Sequence, residues 1–249
     1  MKKIILVIIS AALILTAVTC SKKTVRLSLT EEASYNKVYK EYETKKYTKF
    51  LQDAKYFLSD YPASKNASKI QFLLGETHLK KKEYEEAIME YQRIIDKYSD
   101  SEYLDDAYLK IAESYYVQKL APERDQSATK KAIYYYEKVV QLGGSFTEES
   151  REKIRECRAT LALKEYYIAR YYHKSKEYET SNSVLDEAIK NYSDSTVMAY
   201  YYYLKAYNYF RLKDIDKTKA MLAMMEPFKP FDAKLEKSVK KLEKKMLAQ

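Results

Sequence analysis

The sequence predicts an all-α fold, a solenoid of about five helix pairs with a C-terminal capping helix. Three observations predict it: a scarcity of turn-forming residues, an amphipathic motif that recurs along the chain, and an apolar stripe near its end. Only 3 of 249 residues are Gly and 4 are Pro, against average usage of about 7% and 5%. A sheet-rich fold needs many tight turns, so this scarcity predicts long helices joined by short loops. Lys, Glu, Leu, Ala and Ile dominate the periodic stretches, and all favour or tolerate helix. Tyr is the anomaly, with 28 copies and no Trp. Its large ring and polar tip suit helix interfaces and peptide-binding grooves alike.

The recurring motif gives the helix pairs. Tyr84-Glu85-Glu86-Ala87-Ile88 through Tyr98-Ser99-Asp100-Ser101 is echoed by Tyr178-Glu179-Thr180-Ser181 through Tyr192-Ser193-Asp194-Ser195. Tyr47 through Tyr61-Pro62-Ala63-Ser64 follows the same plan. The 34-residue tetratricopeptide (TPR) pattern places a small residue where two helices of a pair touch and another twelve positions later. A large apolar residue follows four further on, and often Pro eight beyond that. Gly75, Ala87, Tyr91 and Ser99 fit this spacing, as do Ala169, Ser181, Leu185 and Ser193, and Ala206, Thr218, Leu222 and Pro230. In the first repeat Phe50, Ala54 and Pro62 fit, with Val38 in place of the small residue. Ala112 and Ala132 lie twenty apart, so the third repeat carries an eight-residue insertion containing Arg124, Asp125 and Gln126. Five TPR units are thus expected over residues 31–230.

Residues 231–249 are expected to form the capping helix. Leu235, Val239, Leu242 and Met246 make one apolar stripe backed by Lys240, Lys241, Lys244 and Lys245. A cap over the open face of the last repeat is the plainer reading, and membrane-surface binding the alternative.

At the other end, Lys2 and Lys3 precede an apolar run from Ile4 to Val18. This is the form of a signal peptide, too short for the roughly 20 residues of a membrane-spanning helix. Ala17-Val18-Thr19-Cys20 is similar to a bacterial lipobox, although Ala17 and Thr19 depart from the usual Leu and Gly or Ala. Residues 1–19 therefore read as a lipoprotein signal peptide, Cys20 as the lipidated residue, and residues 20–30 as a flexible tether. Ordinary signal-peptide cleavage nearby is the alternative. With Cys20 lipidated, Cys157 has no intrachain partner and reads as a buried, inert thiol.

Chemistry is thinly represented. The two His, at positions 78 and 173, are far apart, and no Cys-x-x-Cys or nucleophile elbow occurs. Gly143-Gly144 sits in a turn after a helix and not in a phosphate-cradling loop. No enzyme, cofactor or metal site is expected. The net charge of +9 comes from Lys interspersed with Glu, which reads as solvated helix faces. Export removes nucleic acid as a partner.

Binding of polypeptide remains. The first helix of each TPR pair lines the concave face. Counting along the pattern places Tyr35, Tyr39 and Tyr42 there from repeat one, Phe72 and Glu76 from repeat two, and Tyr116 from repeat three. Tyr166 and Arg170 follow from repeat four, then Tyr200, Tyr203 and Tyr207 from repeat five. These form the candidate groove; simple packing between helices is the alternative for any one of them.

Two segments carry a family resemblance. Arg124-Asp125-Gln126 with Thr129 and Ala132 matches Arg-Asp-Gln-x-x-Thr-x-x-Ala. Leu161-Ala162 to Glu165, then Ala169-x-Tyr171-Tyr172, matches a second family pattern. With the lipoprotein-like start, five TPRs and the Tyr-Pro-x-Ser ending of repeat one, the chain resembles the BamD (YfiO/ComL-type) lipoproteins of the outer-membrane β-barrel assembly (BAM) machinery. The resemblance implies a lipid-anchored location on the periplasmic face of the outer membrane. It implies as partners the POTRA region of a BamA-like barrel protein, met by the C-terminal repeats, and unfolded outer-membrane protein precursors, met by the N-terminal ones. Gly143-Gly144-Ser145 departs from the family's Tyr-Pro-x-Ser after repeat three, and Val184 stands where relatives often carry a partner-facing Arg. A periplasmic TPR adaptor for cell-wall or Tol-Pal proteins is the alternative role.

Overall fold

The protein, described by a computed structural model over residues 29–248, is built of five helical hairpins and a final helix. The signal segment and Cys20 lie outside the described residues. The hairpins are α1 (Glu31–Glu43) with α2 (Tyr47–Asp60), α3 (Ala67–Lys80) with α4 (Tyr84–Lys97), and α5 (Leu104–Val117) with α6 (Ser127–Leu142). Then come α7 (Thr147–Lys174) with α8 (Tyr178–Asn191), and α9 (Met198–Arg211) with α10 (Ile215–Ala223). A 3₁₀ turn, Glu226–Phe228, leads to α11 (Ala233–Leu247). No strand occurs among the described residues. Each of the ten hairpin helices packs on its chain neighbours, so the core is a row of local clusters rather than one centre. That is the arrangement of a TPR solenoid.

The turns inside the hairpins share one device. Lys45, Lys82, Lys176 and Lys213 all have φ between 58° and 66°, the left-handed conformation that ends a helix. In each case the next residue's N–H returns to a carbonyl five positions back, as in Glu83 N to His78 O at 2.9 Å. The lysine's own N–H bonds three positions back, as in Lys82 to Leu79 at 2.9 Å. This is a Schellman closure with Lys in the place usually taken by Gly.

A second device joins one hairpin to the next. Tyr61, Tyr98 and Tyr192 end α2, α4 and α8, and their carbonyls accept from Ser64, Ser101 and Ser195 at 2.9–3.1 Å. Each Ser hydroxyl then accepts the N–H two residues on. Repeat three lacks this motif, and there Gly143, at φ 76°, closes α6. Gly144 leaves room for Asp105, whose Oδ2 would lie 2.6 Å from a Cβ at that position.

The close-contact positions Val38, Gly75, Ala112, Ala169 and Ala206 are all buried. They recur 37 residues apart, with 57 between Ala112 and Ala169. Eight of the additional residues form the insertion. The others lengthen α7 to 28 residues, twice the 14 of α5 or α9. Cys157, on this long helix, is fully buried, and burial pushes its thiol up to about 11, so it is inert as a nucleophile.

The last hairpin is cut short. The ring of Pro227 would clash with the carbonyl four residues back if the helix continued, and α10 ends at Ala223 with only nine residues. The final helix starts at Asp232, whose Oδ1 accepts from the N–H groups of Lys234 and Leu235 at 2.9 and 3.0 Å. Leu235 and Leu242 are buried and Val239 and Met246 half-buried, as the stripe predicts. The cap is one-sided: α11 packs more closely on α9 than on α10. Between α10 and α11 a cleft of about 660 Å³ stays open.

Candidate protein-binding groove

All eleven groove candidates lie on the first helices of their hairpins, namely α1, α3, α5, α7 and α9. The structure sorts them into separate stretches.

Tyr35 and Tyr39 stack at 5.7 Å on α1. Lys69 of α3 stands 4.3 Å from the Tyr39 ring centre, and a hydrogen bond with Tyr35 raises its pKa. About three turns along α3, Lys80 donates to the Tyr42 hydroxyl at 2.8 Å and lies 4.4 Å from that ring's centre. Both are cation–π contacts at half-exposed sites. Phe72 and Glu76 are built into the repeat packing instead. Phe72 lies 5.4 Å from Tyr91 and 5.0 Å from Tyr103, and Glu76 Oε1 accepts from the Tyr91 hydroxyl at 2.7 Å.

Farther along, the Tyr116 hydroxyl donates to Glu156, and that bond holds the Glu156 carboxyl below the usual range. Lys119 and Lys153 lie 4.0 and 4.7 Å from the Tyr116 ring centre. In the insertion, Asp125 accepts from the Ser127 N–H and hydroxyl at the first residue of α6. Gln126, buried, donates to Ala121 O at 2.8 Å and accepts from Thr129 at 2.7 Å. Arg124 is exposed.

At the C-terminal end Tyr166, Arg170, Tyr200 and Tyr203 come together around a concavity of about 310 Å³. Tyr166 meets Tyr200 edge-on at 5.6 Å. The Tyr200 hydroxyl donates to Asp232, and burial with that carboxylate pushes its pKa up to about 12. Tyr203 donates to Ser238 O at 3.4 Å and stacks with Tyr207 at 6.3 Å. The final helix thus lies along these tyrosines as well as capping the stack.

Lysine partners are what sequence reasoning missed. Lys69, Phe72, Glu76 and Lys80 are spaced three, four and four along α3, which is one helix face, and that spacing was available as a signal. Among the described residues no three His, Cys, Asp or Glu side chains gather where they could hold a metal ion.

Stacked hairpins of this repeat, with aromatic side chains along their first helices, define a TPR scaffold. The chain also matches the YfiO family model, described as outer membrane lipoprotein, over residues 28–222. It belongs to that family. Among solved structures it is similar to a thermophilic TPR protein of Thermus thermophilus, with 15% identity and a TM-score of 0.35, over 85% of this chain and 98% of that one. No curated protein sequence matches it.

Proposed function

We propose that this chain is a non-enzymatic scaffold of the outer-membrane β-barrel assembly machinery. Membership of an outer membrane lipoprotein family across all five hairpins carries this reading. The C-terminal hairpins dock the POTRA region of a BamA-like barrel protein. The Tyr35, Tyr39 and Tyr42 patch receives unfolded outer-membrane protein precursors, and lipidated Cys20 holds the array on the periplasmic face of the membrane. Tyrosine rings with hydroxyl tips, overlaid by lysines, suit modest and reversible contact with an unfolded chain, whose backbone is polar and whose side chains alternate.

The test is a mild-crosslinking pull-down of tagged protein from native membranes, beside its Cys20→Ala variant. Recovery of a POTRA-containing barrel protein, reduced by the substitution, is the expected result. Recovery of cell-wall enzymes or Tol-Pal components in its place would overturn the assembly role and favour the adaptor role.

A further inference from the structure

Between α9 and α11 two adjoining concavities, of about 310 and 190 Å³, share Tyr203 and Ser238 and so form one groove. Four cations line it: Arg170 from α7, and Lys234, Lys241 and Lys245 from α11. No acidic residue lines either concavity. None of the four cations enters an ion pair among the described residues. Lys240, on the same helix but facing the other cleft, does pair with Glu236, at 3.1 Å. Asp232, beside Tyr200, is already committed to capping α11 and to the Tyr200 hydroxyl. The floor is aromatic, and the Tyr166 hydroxyl has no hydrogen-bond partner among the described residues.

We propose that this groove binds a short extended polypeptide segment in which acidic side chains alternate with apolar or aromatic ones. Arg170 presents a planar fork suited to a carboxylate. The angle between the Tyr166 and Tyr200 rings takes the neighbouring apolar side chain, and Lys241 and Lys245 meet further carboxylates. Lys234 to Lys245 spans about 16 Å of helix, the length of about five residues of extended chain. Arg170 of α7 and Lys234 of α11 line the same concavity from two different helices, which suits a chain laid between them, whereas binding to a lipid surface calls for cations spread on an outward face. The inference rests on the groove alone and does not depend on the partner being a barrel-assembly subunit.

Fluorescence anisotropy tests it with a fluorescein-labelled peptide of three Asp-Phe-Ser repeats, its Lys-for-Asp counterpart, and phosphatidylglycerol vesicles. The acidic peptide binds saturably and the basic one does not, and binding weakens as salt rises from about 50 to 300 mM because exposed charges are screened. Arg170→Glu and Lys241→Glu, both at exposed positions, each weaken it about tenfold or more, with unchanged helical circular dichroism. Lys240→Glu makes the same charge change outside the groove and leaves affinity within about twofold. An equal loss in Lys240→Glu, no saturable binding of the acidic peptide, or Arg170-dependent binding of the vesicles in place of the peptide would each overturn the proposal.

Discussion

Gly75 lies directly beneath the ring of Tyr91: a Cβ on Gly75 would stand 2.5 Å from Tyr91 Cε1 and 2.6 Å from Cζ. This is where α3 and α4 touch. The ring cannot swing aside, because Tyr91 is fully buried and its hydroxyl is tied to Glu76. Two effects of Gly75→Ala therefore oppose each other. Helix propensity favours Ala by about 1 kcal/mol, while forcing an atom into a filled interface costs about 1–3 kcal/mol or more. The contact distance is short enough for the second to win. We expect Gly75→Ala to lower stability by about 1–2 kcal/mol in urea unfolding, and an unchanged or higher midpoint would refute the close-contact role.

Gln126 sets the shape of the third-repeat insertion, and Arg124 does not. The buried Gln126 amide satisfies a backbone carbonyl on one side and receives the Thr129 hydroxyl on the other. Gln126→Ala strands the buried Thr129 hydroxyl and removes the donor to the partly buried Ala121 carbonyl, at a cost of about 1–3 kcal/mol. Arg124→Ala, at an exposed position, stays within about 0.5 kcal/mol of the parent. Thermal unfolding followed by circular dichroism separates the two; equal effects would mean that the insertion is not organised by Gln126.

Lys82 occupies a left-handed turn at φ 61°, and the same strain recurs at Lys45, Lys176 and Lys213. A non-Gly residue in that conformation costs about 1–2 kcal/mol, while Gly adds about 0.5–1 kcal/mol of chain entropy to the unfolded state. The balance favours Lys82→Gly by about 0.5 kcal/mol. A raised urea midpoint with an unchanged m-value is the expected readout; a lowered one would show that the lysine side chain contributes more than its backbone strain removes.

These turns also explain what was and was not legible in the sequence. The contact positions Gly75, Ala112, Ala169 and Ala206 announce the hairpins because close helix contact leaves room only for a small side chain. The left-handed turns do not announce themselves, since Lys stands where Gly would be the signal. The length of α7 was hidden too, because Thr147–Lys174 is a mixed polar sequence with no breaker to mark a boundary. Helix periodicity places the groove tyrosines on the right helices. It does not say that Phe72 is enclosed by Tyr91 and Tyr103, or that α11 runs beside Tyr200 and Tyr203, because those contacts join residues distant in sequence. The Tyr-x-x-Ser turns were visible as a repeated motif, and the serine's bond to the residue two positions on supplies the reason for it.

Arg158 and Asp194 give the array a measurable dependence on pH. Arg158, on α7, bonds Asp194 through two nitrogens at 3.1 and 2.8 Å and also donates to Asn191 O at 2.9 Å. It thereby braces the turn between α8 and α9. The Arg158 hydrogen bonds hold the Asp194 carboxyl below its usual value. A depressed folded-state pKa stabilises the fold fully above the unfolded value, about 3.9, and the contribution is lost as pH falls through the folded value. Asp194→Asn removes the charge and keeps the Arg158 bond to Asn191. The Asp194 side chain is 55% exposed, so solvent screening holds the effect to about 0.5 kcal/mol. Urea midpoints should therefore differ between parent and variant by a constant amount at pH 7 and pH 5, and the gap should shrink once pH falls below the unfolded value of about 3.9 and close as the parent's carboxylate protonates at its lower folded value. About 0.5 M salt should shrink the gap at pH 7. If the gap persists undiminished at low pH, the variant acts through altered turn geometry and the ion pair contributes nothing.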